Sequence, residues 1–176
     1  MQSFDIAIVG GGMVGLALAR ALKNTGIRIA IVEGSQPSKD LSGDPDIRVS
    51  ALSRASETIL KNLDAWEAIQ NHRCAPYQAM EVWEQDSFAR IEFSASQMSQ
   101  PNLGHIVENR VIQLALLEQV EQQSNVTLFM PHRCQSMAIG ESEVWTTLDN
   151  GQSLRANSSL VQMAPTLGFV SSKIFL

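Results

Sequence analysis

The apolar and polar positions of this chain alternate between two periods. "FDIAIV" (Phe4–Val9) is a short apolar run that ends on glycines, as a buried parallel strand does. "MVGLALARALKNTG" then switches to helical spacing, with Val14, Leu18, Ala21 and Leu22 on one face and Gly26 as the stop. "IRIAIVE" (Ile27–Glu33) is a second buried strand. Together these form a β-α-β unit of about 30 residues, a connection that is right-handed by strong preference.

The loop Gly34–Ile47 is polar and rich in Gly, Pro, Ser and Asp. Helical spacing covers Ser50–Gln70. Ala79–Phe93 reads as two strands turning at Gln85–Ser87, and Asn109–Gln123 reads as a helix with Asn109 as its N-cap. "VTLFM" (Val126–Met130) is the next strand. "RCQSMAIG", "EVWTTLD" and "QSLRA" form a small meander, tightly turned at Asp149–Asn150–Gly151. The fold class is α/β, a Rossmann-like β-α-β unit on a parallel sheet with a small β-meander.

Composition narrows the function. The 176 residues are 44% hydrophobic and 18% charged with a net charge of −5, an ordinary globular balance. No basic block is present, which argues against a nucleic-acid partner. Cys74 and Cys134 form no CxxC pair and read as thiols of a reducing cytoplasm. The run Ile6–Val9 is too short for a signal peptide, and no stretch of about 18 apolar residues spans a membrane. The three histidines share no metal spacing with cysteines or acids, and Asp40, Asp44 and Asp46 match a calcium loop in composition but not in order.

The chemistry lies in the glycines. Gly10, Gly12 and Gly15 make G-x-G-x-x-G between a strand and a helix, the context that gives this spacing meaning. Gly10 permits the turn, Gly12 a close approach to a pyrophosphate, and Gly15 helix–strand packing. The N–H groups near Met13 and Val14 face the phosphate charge. Glu33 ends the second strand, 18 residues after Gly15, where a carboxylate accepts hydrogen bonds from a ribose. Gly34 and Ser35 follow it rather than an Arg, so NADP is disfavoured while NAD and FAD both remain. Arg48 and Arg110 are either cofactor contacts or surface arginines.

Three longer stretches, "RVSALS" (Arg48–Ser53), "MEVWEQDSF" (Met80–Phe88) and "GHIVENRVIQLAL" (Gly104–Leu116), with "DIAIVGGGMVGLALA", resemble the FAD-dependent aromatic hydroxylases of the para-hydroxybenzoate-hydroxylase type. The 2-polyprenylphenol hydroxylase branch of the ubiquinone pathway is the most similar. The resemblance covers about residues 1–155. It implies FAD, held at the pyrophosphate by Gly10, Gly12, Met13, Val14 and Gly15, at the ribose by Glu33, by contacts from Arg48 and Arg110, and at the adenine by the backbone near Cys134. It also implies NAD(P)H as a transient reductant, a polyprenylphenol substrate, a ubiquinone-biosynthesis complex as partner, and a cytoplasmic location peripheral to the inner membrane. The residues alone leave open the NAD domain of a dehydrogenase and a non-catalytic nucleotide-binding remnant.

Two later motifs of the family, "GADG" and "GD…P…G", are not found here. The expectation is therefore a truncated FAD-binding domain over residues 1–156, inactive alone, whose third parallel strand lies downstream so that the first two lack a neighbour. Codons that encode Val161–Val170, read one base out of phase, permit Ala-Asp-Gly-Ala-Asn-Ser-Trp-Val-Arg, which contains the missing motif. The shifted codons for Asn157–Leu160 permit Lys-Leu-Val-Val. Residues 157–176 are thus expected to be an out-of-frame tail.

Overall fold

The structure, a computed structural model, describes residues 2–161 apart from Ser87, with side chains to Asn157. The elements in chain order are β1 (Gln2–Val9), α1 (Met13–Ala21), β2 (Ile29–Val32), β3 (Val49–Ser53), α2 (Arg54–Asn62), α3 (Trp66–Gln70), β4 (Cys74–Tyr77), β5 (Ala79–Trp83), β6 (Arg90–Ser94), a 3-10 turn (Ser96–Met98), β7 (Gly104–Glu108), α4 (Asn109–Glu121), β8 (Val126–Phe129), β9 (Cys134–Ile139), β10 (Val144–Leu148) and β11 (Ser153–Val161). Among the described residues they fall into two compact units, one of residues 2–40 and 116–161, the other of residues 41–115.

The first unit is built on a six-stranded sheet of order β8-β2-β1-β11-β10-β9. The pairs β1–β2, β2–β8 and β1–β11 are parallel, while β9, β10 and β11 pair antiparallel. All four residues of β2 are buried, as its unbroken apolar run requires. Phe4, Ala7, Ala30, Val32, Phe129 and Leu148 belong to one core cluster, with Phe4 edge-on to Phe129 at 5.9 Å between ring centroids.

Two expectations are corrected here. β1 and β2 do not lack neighbours, because β8 flanks β2 and β11 flanks β1. β11 does this by outrunning the meander: its first residues pair with β10, and its ladder along β1 runs from Leu154 opposite Gln2 to Val161 opposite Val9. The expected boundary at residue 156 therefore falls inside a strand, and residues 162–176 of the expected tail lie outside the described residues. The buried face of α1 also differs. Gly15, Leu16 and Ala19 face inward, whereas Val14 is 58% exposed.

The second unit contains a three-stranded antiparallel sheet of order β3-β7-β4 and the separate hairpin β5–β6. The helical reading of Ser50–Gln70 fails at its start. Val49–Ser53 pairs with β7 as a strand, and Ser53 then caps α2 by accepting from the Ser56 N–H. Asn109 does not act as the expected side-chain cap; its Oδ1 accepts from the Ser50 hydroxyl at 2.5 Å, and it forms the first residue of α4.

Candidate cofactor site

The glycine turn sits where β1 gives way to α1. Gly10 adopts a left-handed φ of 118° and donates its N–H to Val32 O at 2.8 Å. Gly12 precedes the helix in extended conformation, and its carbonyl accepts the first intrahelical bond, from Leu16. No side chain caps this helix and no acid lies in its first turn. Its positive end is thus open to an anion, with Met13 and Val14 at its rim.

Glu33 stands beside this turn and both its oxygens are engaged. Oε2 accepts from the Gly11 N–H at 2.7 Å; Oε1 accepts from the Ser35 N–H at 2.9 Å and the Ser35 hydroxyl at 3.0 Å. Gly11 itself is buried, and a Cβ there would stand 2.9 Å from Glu33 Cβ. The carboxylate thereby braces the glycine turn. Neither Gly11 nor Ser35 belongs to the glycine motif, so spacing did not reveal them.

The segment after β8 closes the same edge. The His132 N–H donates to Glu33 O at 2.9 Å, and the Asp149 N–H donates to Arg133 O at 2.9 Å. The His132 ring lies between Asp149 Oδ1 and Asn150 Nδ2, each at 3.2 Å. The Arg133 backbone beside Asp149, followed by the His132 ring, holds the Asp149 carboxyl below its usual range. Cys134 begins β9 and packs against the core, and burial pushes its thiol up. Gly10 to Gly15 and Glu33 thus share the strand-end edge of the first unit, and Cys134 follows two residues after His132, whose N–H bonds Glu33 O.

Arg48 and Arg110 lie in the second unit, joined through the end of β7. Arg48 is exposed; its carbonyl accepts from the Asn109 N–H at 2.9 Å and its N–H donates to Asp46 Oδ1 at 3.0 Å. Arg110 Nε stands 3.3 Å from Glu108 Oε2, yet neither Nε nor Nη2 makes a well-aligned hydrogen bond although both are shielded from solvent. Such orphaned donors suit an acceptor-rich ligand. Glu108 is 3% exposed and accepts from Arg73 Nε at 2.6 Å and the Asp46 N–H at 2.8 Å. The Arg73 hydrogen bond, then that of Asp46, holds its carboxyl below the usual range. Arg73 and Glu108 were not legible as partners, since 35 residues separate them. Among the described residues no metal-binding cluster occurs and no helix is long and apolar enough to cross a membrane.

An open helix N-terminus after a glycine turn, with a carboxylate at the end of the next strand beside it, is the geometry of a dinucleotide-binding turn. The family described as "FAD binding domain" matches residues 3–157, and this chain belongs to it. The choice between NAD and FAD closes on FAD. The chain is 38% identical over 173 residues to the 3-demethoxyubiquinol 3-hydroxylase of Escherichia coli, covering 93% of this chain and 44% of that protein. It is 41% identical over 130 residues to the zebrafish (Danio rerio) ubiquinone biosynthesis monooxygenase COQ6, covering 70% of this chain and 27% of the relative. Among solved structures, p-nitrophenol 4-monooxygenase from Pseudomonas putida superimposes with a TM-score of 0.72 at 18% identity, over 96% of this chain and 43% of that one. That likeness shows the fold. The chain spans less than half the length of the relatives it matches.

Proposed function

We propose that this chain forms the FAD-binding part of a monooxygenase that hydroxylates the ring of a polyprenylphenol in ubiquinone biosynthesis, with NAD(P)H as reductant. The observation that carries it is the kinship with a 3-demethoxyubiquinol 3-hydroxylase along nearly the whole chain. FAD supplies the redox chemistry when bound. The chain's own residues hold and orient it. The N-terminus of α1 takes the pyrophosphate, with Gly10 to Gly15 leaving room for it. Glu33 accepts the ribose hydroxyls in exchange for its exposed Ser35 contacts and keeps its bond to the buried Gly11 N–H. The Arg110 donors and Arg48 serve acceptors of the same cofactor, and the backbone near Cys134 borders the adenine. A polyprenyl substrate places the enzyme on the cytoplasmic side of the inner membrane, at its surface and within reach of other ubiquinone-biosynthesis proteins.

The test is the gene, with its reading frame restored at codon 157, expressed in a host that lacks its own 3-demethoxyubiquinol 3-hydroxylase. A quinone one oxygen heavier, labelled from oxygen-18 gas, is the expected product. Bound FAD with no labelled product would reject the substrate and keep the flavin class; loss of FAD as well would reject both. We propose in addition that residues 1–156 form a partial FAD-binding domain and that codons from 157 onward are one base out of phase. Genomic reads across codons 155–158 decide this: the missing base supports it, and an uninterrupted frame with the codons as printed rejects it.

A further inference from the structure

The edge of the first unit carries a cation that none of the assigned roles uses. Arg133 follows β8, and its side chain lies across Gly34. A Cβ on Gly34 would stand 2.8 Å from Arg133 Cγ and 3.2 Å from its Nε, so the stem rests on the Gly34 backbone and any side chain there would lift it. The Arg133 backbone is held on both sides, by the His132 bond to Glu33 O and by the Asp149 N–H. The guanidinium makes no ion pair or hydrogen bond among the described residues. Glu33, one residue before Gly34, has both oxygens engaged elsewhere.

Sheet order says what lies above it. Along β1, β2 and β8 the strand ends carry the glycine turn, then Glu33, then the segment leading to Arg133. Ligands of such sheets bind outside the carboxyl ends of the strands. A dinucleotide with its pyrophosphate at the first and its ribose at the second brings its base to the third. The base is flat and presents a π face, and a guanidinium is planar, weakly hydrated and suited to stack on it. A phosphate on the ribose is a poor alternative, because the Glu33 carboxylate stands at the ribose position. We propose that Arg133, seated on Gly34, holds the adenine of FAD by lying against the face of its ring. This rests on the placement of the pyrophosphate at Gly12–Gly15 and the ribose at Glu33.

The experiment titrates the purified 176-residue protein with FAD by flavin fluorescence, with ADP and inorganic pyrophosphate as competitors. Arg133→Ala is expected to weaken FAD and ADP about tenfold, to leave pyrophosphate unchanged, and to leave the melting temperature of the cofactor-free protein unchanged. Arg133→Lys, which keeps the charge but loses the plane, should recover only part of the affinity. Gly34→Ala should reproduce the loss of Arg133→Ala and add nothing to it in the double variant. Unchanged FAD affinity in Arg133→Ala overturns the proposal while the glycine-turn site stands. An equal loss for pyrophosphate overturns it too, making Arg133 a phosphate ligand. Additive losses with Gly34→Ala break the link through Gly34. A wild-type protein that binds neither FAD nor ADP removes the underlying site together with the proposal.

Discussion

Gly11→Ala is a small change with a calculable consequence. The new Cβ would stand 2.9 Å from Glu33 Cβ and 3.0 Å from Cγ, closer than such carbons approach, and 3.3 Å from Oε2. Glu33 Cβ cannot yield easily, because it is fixed to the backbone at the end of a fully buried strand whose ladder continues through the Glu33 N–H to Phe129 O. The turn must move instead. A displacement of about half an ångström takes the 2.7 Å bond from the Gly11 N–H to Glu33 Oε2 to the limit of hydrogen-bond geometry. A hydrogen bond to a charged group is worth about 1.5–3 kcal/mol. For a protein of this size, a loss of about 2 kcal/mol lowers the melting temperature by roughly 4–8 °C. FAD affinity should fall as well, since the same turn is the proposed pyrophosphate site. Thermal unfolding followed by circular dichroism, paired with an FAD titration, measures both. The control is Glu33→Gly, which removes both the clashing Cβ and the carboxylate, and in which Gly11→Ala should cost little more. A Gly11→Ala protein that melts within about 1 °C of wild type and binds FAD equally well would refute the bracing role of Glu33.

Other substitutions probe the second unit. Gly104→Ala places a Cβ 1.8 Å from Leu52 O, which the β3–β7 ladder cannot absorb; a loss above about 4 kcal/mol is expected, read as missing soluble protein or an early denaturant midpoint. Arg73→Met leaves the buried Glu108 without its 2.6 Å partner; because Arg73 is 40% exposed, the loss should be about 1–2 kcal/mol by urea unfolding, below that of a fully buried pair. Glu108 ionises below its ordinary value of 4.5, so its stabilisation is complete above about pH 4.5 and is lost as pH falls through the lowered value. Glu108→Gln should therefore flatten the decline of the urea midpoint below pH 4.5, and an unchanged slope would contradict the assignment.

The parts legible in sequence were those fixed locally. β1 and β2 announce themselves as apolar runs, and the glycine turn is bounded by them. The β5–β6 hairpin and the turn at Gly151, with φ of 82°, follow from alternation and turn residues. β3 was not legible, because "VSALS" suits a helix start as well as a strand; its pairing with Gly104–Glu108, some fifty residues on, decides it. The face of α1 was misjudged since Leu16 and Leu18 are equally apolar, and only the sheet beneath selects Leu16. At the site, spacing located Glu33 but not its bond to Gly11, and nothing local connects Gly34 with Arg133, 99 residues later. Contacts set by strand order need the sheet before they can be read.

The central claim is that this chain holds the ADP half of FAD on the glycine turn and Glu33. Competition against bound FAD, followed by flavin fluorescence on the purified 176-residue protein, tests it directly. The account predicts that FAD binds, that ADP displaces it, that FMN does not at the same concentration, and that Gly12→Val abolishes FAD and ADP binding together. Displacement by FMN but not by ADP, or full FAD occupancy in Gly12→Val, would contradict it.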